Sequence, residues 1–207
     1  VAESAAVSAR DAILSAVRAG RRAEPPPARY ALPAWTGDTA SQFAARATST
    51  AAEVYEIAHV DDAPEAIWSI LVKRNAARQV HVPPDSPAGA LPWQRAPGLS
   101  VKRERPTGSD SAVSFADHAI AETGTLVFCS GERSASSWHF LPGLEFVVLR
   151  RALIVPRLES VIETLARGGV MPSTVNLVTG PSRTADIEQT IERGAHGPRE
   201  LCILIAG

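Results

Sequence analysis

Short, continuously apolar runs alternate along this chain with stretches in which apolar residues recur every three or four positions. The first pattern is expected of buried strands and the second of helices packed on them. The first stripe is Ala5, Ala6, Ala9, Ile13, Leu14 and Val17, which predicts a helix over 3–19 stopped by Gly20. Three prolines, Pro25 to Pro27, then favour a stiff extended strap. The helix is either an arm joined by that strap or an element packed flat on its own domain; the stripe fits both. A second helix is predicted over 39–51 and a strand over 54–58. The capping-box variant Asp62-x-x-Glu65 opens a helix to about Arg74, with Ile67, Ile70 and Leu71 inward. A strand over 79–82 completes strand, helix, strand, the beginning of a parallel sheet.

Five prolines make 83–98 a loop, 99–104 reads as a strand and 109–116 as a helical turn. Strands over 119–122 and 125–129 flank Thr123-Gly124, a short helix is predicted over 134–140, and an apolar strand over 145–149. Pro156 suits the first turn of the next helix. Leu158, Val161, Ile162 and Leu165 are expected to face the core, and Gly168-Gly169 ends that helix. A strand over 176–179 leads into the turn 180–184, a helix follows over 183–192, and 201–205 closes as a buried strand. The expected class is α/β: a Rossmann-like, mostly parallel sheet with helices on both faces, plus an N-terminal helical arm. Residues 1–27 are expected to form the helix and Pro-rich strap, and 28–207 the α/β domain.

Composition narrows the function more than the fold. A net charge of −1 gives no electrostatic reason to expect nucleic acid or an anionic membrane, and Trp35, Trp68, Trp93 and Trp138 make no basic–aromatic stripe. No apolar run approaches the roughly 20 residues of a membrane span, and the first residues lack an apolar signal core, so a cytoplasmic location is expected. Cys129 and Cys202 lie far apart, each in an apolar run, and read as two buried thiols rather than a disulfide or cluster ligands. No two histidines have HExxH or i, i+4 spacing, so no metal site is expected.

Three constellations carry candidate chemistry. In Ala121-Glu122-Thr123-Gly124-Thr125, a glycine at a strand break admits a close ligand or makes a bend, Thr123 and Thr125 offer hydroxyls, and Glu122 offers a base or nucleophile. A bulge with a solvated glutamate explains the same residues. In Gly180-Pro181-Ser182-Arg183-Thr184, a helix opening after a buried strand would present free N–H groups to an anion. Ser182, Arg183 and Thr184 would add donors to a phosphate or carboxylate; plain N-capping by Ser182 or Thr184 accounts for the same pattern. In Gly194-Ala195-His196-Gly197-Pro198, His196 on a tight turn suits a general acid or base, or a bond to a backbone carbonyl.

These motifs, in this order, resemble the lactate-utilisation protein C family, which carries the LUD domain. The segment from Phe115 to Thr125 looks like its hallmark, followed by Leu141-Pro142 before an apolar strand, Gly180 to Glu188, and His196-Gly197-Pro198 before the last strand. The resemblance is specific from about residue 110 to 207. It implies a fold similar to the ribose-5-phosphate isomerase/CoA-transferase group and a role in oxidising L-lactate to pyruvate. It also implies iron–sulfur partner proteins that carry the redox chemistry; with two cysteines, these residues do not hold a cluster alone. A self-sufficient enzyme acting on a phosphorylated or carboxylated metabolite, a sugar phosphate or an acyl-CoA, is the alternative. Oligomeric state stays open. One departure stands out: where many relatives carry a histidine shortly after Leu-Pro, this chain has Glu145, which bears on ligand choice.

Overall fold

The computed structural model describes residues 8–19, 31–131, 137–169, 172–185, 191–193 and 197–207. It divides into two compact units, 1–35 and 36–207. The first contains helix α1 (Ala9–Ala19), whose N-terminal Ser8 exchanges hydrogen bonds with Asp11. The start of the expected 3–19 helix and the Pro25–Pro27 strap lie outside the described residues.

The second unit begins with α2 (Thr39–Ser49), capped by the Asp38 carboxylate accepting from the Ser41 N–H, and β1 (Glu53–Ile57). Then come α3 (Ala63–Lys73), β2 (Gln79–His81), β3 (Ser100–Lys102), β4 (Ser111–Phe115), β5 (His118–Ile120) and β6 (Thr125–Cys129). After them lie α4 (Ser137–Phe140), β7 (Leu144–Arg150), β8 (Ile154–Val155), α5 (Leu158–Arg167) and β9 (Val175–Val178). β10 (Arg183–Ala185), β11 (Ile191–Arg193) and β12 (Glu200–Ala206) close the chain.

Six strands in the order β1-β12-β7-β4-β2-β3 form one sheet, every pairing parallel. That is the expected α/β architecture. The apolar runs of β7 and β12 occupy its centre, flanked on both sides, which is why they carry no polar alternation. Alternate residues point to opposite faces. Phe146, Val148, Cys202, Leu204 and Val113 pack under α3, through Ile67, Ile70 and Leu71. The opposite face carries Glu145, Val147, Leu149, Ile203 and Ile205, all buried.

A second sheet, β8-β5-β6-β9, is mixed: β6 runs antiparallel to both β5 and β9. Several local expectations need correction. Residues 111–115 are strand β4, not a helical turn: they pair in parallel with β7 from Ser111 to Phe115 and with β2 at Ala112. Residues 183–185 and 191–193 pair as antiparallel strands where the sequence predicts a helix over 183–192, and 186–190 lie outside the described residues. The Asp62 carboxylate does not cap α3; it turns back to accept from the His59 N–H and pairs with Arg95. Pro156 precedes the α5 N-cap, Arg157, rather than sitting in its first turn. Of the four apolar α5 residues, Val161 is buried and Leu165 packs beside it, while Leu158 and Ile162 are exposed.

The amino end of β1 is tied down electrostatically. Arg74 pairs with Glu53 and with Glu200 at 2.5 Å and also donates to Cys202 Sγ, while Tyr55 donates to Glu53. The Tyr55 hydroxyl and then Arg74 hold Glu53 below its ordinary 4.5 despite partial burial, and burial followed by Glu53 pushes Tyr55 up to about 12. A depressed carboxylate stabilises the fold fully above its ordinary value, and that contribution is lost as pH falls through the folded value. Glu53→Gln is therefore expected to narrow the gap in melting temperature between pH about 7 and pH about 3. Thermal scans across that range check it, and an unchanged gap would count against the role of this pair.

Candidate functional site

The three constellations do not share one place. Glu122 lies in the turn between β5 and β6, more than half exposed, with Arg157 Nε 3.7 Å from its carboxylate. Gly124 has φ +70, and a Cβ there would stand 2.4 Å from the Ala47 backbone nitrogen, so it lets the end of α2 close on this turn. Thr125 is buried and links two hydroxyls: Thr123 Oγ1 at 2.6 Å and Thr179 Oγ1 at 2.7 Å. The ETGT turn is thus wired by hydroxyls to the end of β9.

Thr179 and Ser182 line a groove of about 520 Å3, with Thr50, Phe140, Leu177, Val178, Gly180, Pro181, Gly197 and Pro198. Gly180 at φ +75 turns the chain tightly against Thr50, and the Ser182 N–H donates to the Pro198 carbonyl. An adjoining cavity of about 560 Å3 shares Pro181 and Ser182 and adds Glu53, Arg199 and Glu200. A third, about 530 Å3, continues past Arg199 and Glu200 to Arg74 and Asp110. Thr50, Phe140 and Pro198 precede β1, β7 and β12, so the groove lies at the amino ends of the parallel strands. The 180–184 turn follows β9, which belongs to the other sheet.

Arg183 and Thr184 start strand β10, so the helix N-terminus proposed as an anion cradle does not form there. His196 lies outside the described residues. Of the sequence-predicted residues Ser182 lines this groove; Thr125 bonds Thr179 on its wall from beneath, Thr123 bonds Thr125 in turn, and Glu122 lies outside the lining.

A second cluster is built on Glu145, which the sequence marks only as a departure from relatives and does not connect with His139 or Ser114. Glu145 on β7 is fully buried, and its Oε1 accepts from Ser114 Oγ at 2.6 Å and lies 2.8 Å from His139 Nδ1. The His139 ring, 2% exposed, stacks on Phe128 with centroids 3.9 Å apart. Glu145 Oε2 and His139 Nε2 are buried without a hydrogen-bond partner among the described residues. The available signal was an acid inside the otherwise apolar run of β7, since a buried carboxylate demands partners. Elsewhere, burial pushes the Cys202 thiol up to about 12 and raises that of Cys129, so neither is an activated nucleophile. Among the described residues no group of three or more His, Cys, Asp or Glu could hold a metal, and no helix is long and apolar enough to cross a membrane.

The family model described as LUD domain matches residues 40–206. A protein named Lactate utilization protein C from Halalkalibacterium halodurans is 35% identical over 106 residues, covering 49% of this chain and 46% of that protein. One of the same name from Geobacillus kaustophilus is 34% identical over 97 residues, 45% of this chain and 40% of that protein. The matched stretch thus spans about half the length of these curated relatives. A crystal structure of a DUF162 family protein from Deinococcus radiodurans superposes with TM-score 0.60 at 22% identity, over 84% of this chain and 100% of its own. That likeness concerns the fold.

Proposed function

We propose that this chain, which belongs to the LUD domain family, serves in L-lactate utilisation as a subunit that works with iron–sulfur partner proteins in oxidising L-lactate to pyruvate. The observation that carries this is the family match across 40–206 together with relatives named for lactate utilisation. The two cysteines support the division of labour: four thiolates hold a typical iron–sulfur cluster, and these residues offer half that number, one of them deeply buried. The groove at Thr179 and Ser182 is the place for a small carboxylate, and its continuation to Arg199 favours a second reading, a standalone enzyme on a larger anionic metabolite.

Deletion of the gene is expected to slow growth on L-lactate while growth on pyruvate is unchanged. Affinity purification of the protein from lactate-grown cells is expected to bring iron–sulfur proteins with it. Normal growth on L-lactate in a strain without a second copy would overturn the lactate role. Recovery of the chain alone, with a thermal shift on adding a sugar phosphate or CoA, would favour the standalone enzyme.

A further inference from the structure

We infer that helix α1 is a self-association element: the α1 helices of two copies pack antiparallel through Ile13, Leu14 and Val17, with Asp11 of each copy against Arg18 of the other. This stands apart from the lactate reading. α1 is an eleven-residue helix in which no residue is buried. A helix of that length is marginal in water on its own, so packing has to hold it. Its apolar face is the means: Ile13 is 63% and Val17 61% exposed, with Leu14 beside them at 38%. Residues three and four apart share a face, so these three make one patch.

The charges beside the patch select what covers it. Asp11 and Arg18 lie seven residues apart, two helical turns, and therefore border the patch on the same side. The opposite border holds Ala9 and Ala16, small enough to let a second helix come close. In an antiparallel pair like borders meet; in a parallel pair each border meets the opposite one. A parallel pair would set Asp11 and Arg18 against alanine. An antiparallel pair sets the acid of each copy level with the base of the other, because the middle of the apolar patch, at Leu14 and Ser15, is also midway between positions 11 and 18. Asp11 Oδ2 accepts from Ser8 Oγ, which leaves Oδ1 for that contact. The same register brings Arg10 beside the last turn of the other helix, whose free carbonyls and dipole suit a cation. A partner without this charge pattern gains only the apolar half of the fit, whereas a second copy supplies both. The contact is small, so the dimer is weak, with a dissociation constant on the order of tens of micromolar.

The test is sedimentation equilibrium of the full chain between about 1 and about 200 μM, over which monomer is expected to give way to dimer. Ile13→Ala combined with Val17→Ala keeps a strong helix former at both positions and is expected to leave monomer throughout. Asp11→Arg and Arg18→Asp each set like charges together at both contacts, and each alone is expected to weaken dimerisation about tenfold. Mixed in equal amounts, the two variants are expected to recover the strength of the natural chain, because every contact between positions 11 and 18 of the mixed pair again joins opposite charges. A natural chain that stays monomeric overturns the inference; a lower melting temperature for the alanine pair would then assign the patch to a contact within one chain. Association that the alanine pair leaves intact overturns it as well and places the interface elsewhere. A mixture no stronger than its components overturns the antiparallel second copy and leaves the patch to a different protein.

Discussion

Gly124→Ala is expected to destabilise the 36–207 unit by about 2–4 kcal/mol, in a urea titration followed by circular dichroism. Two costs add. At φ +70 a side chain of L configuration loses about 1–2 kcal/mol against glycine. The added methyl would then stand 2.4 Å from the Ala47 nitrogen and 2.7 Å from the Arg46 carbonyl carbon, both backbone, so no rotamer change relieves it. Relief requires α2 to lift from the β5–β6 turn, and Phe43 and Ala47 of α2 are fully buried. Gly108→Ala is the control: a Cβ there meets nothing within 4 Å, and its effect should stay within about 0.5 kcal/mol. If Gly124→Ala is as mild as the control yet weakens lactate binding, then the glycine makes room for a ligand rather than for α2, as the sequence equally allowed.

The parallel core was legible because its signals are local. β7 and β12 are apolar without alternation, and only strands buried on both faces read that way. What failed depends on which strand meets which. Nothing within residues 119–129 says that β5 and β6 turn back on each other, or that β9 joins them antiparallel in a separate sheet. The 183–192 segment has no long apolar period to distinguish one helix from two three-residue strands, and pairing between Arg183 and Arg193 decides it. The 109–116 segment reads as a helical turn in isolation; within it Ser114 lies in a central strand, where it bonds Glu145, 31 residues away. Leu158 and Ile162 fit a core-facing stripe, yet α5 buries only the side holding Val161 and Leu165. For the site, sequence order drew attention to the 123–125 and 180–182 turns. The hydroxyl that joins them belongs to Thr179, placed beside them by strand pairing.

Glu145→Ala is expected to cost about 3–5 kcal/mol, the largest single loss among the polar residues considered, with Glu145→Gln distinctly milder. Alanine removes the acceptor of both Ser114 Oγ and His139 Nδ1 in a place where neither reaches water, and it leaves a void between fully buried Val147 and Leu201. Glutamine keeps the volume and one carbonyl oxygen for the same two donors. The physical claim is that the cost comes from stranding partners, not from losing a charge pair of high intrinsic worth. It follows that His139→Phe with Glu145→Met should lose less than Glu145→Ala alone, since phenylalanine can keep the stack on Phe128 and no imidazole is left unpaired. Urea unfolding of the two singles and the double gives the coupling directly. Strict additivity would mean that His139 and Glu145 do not act on each other. A double variant more stable than the natural chain would mean that the fold holds this buried pair at a cost its stability does not require.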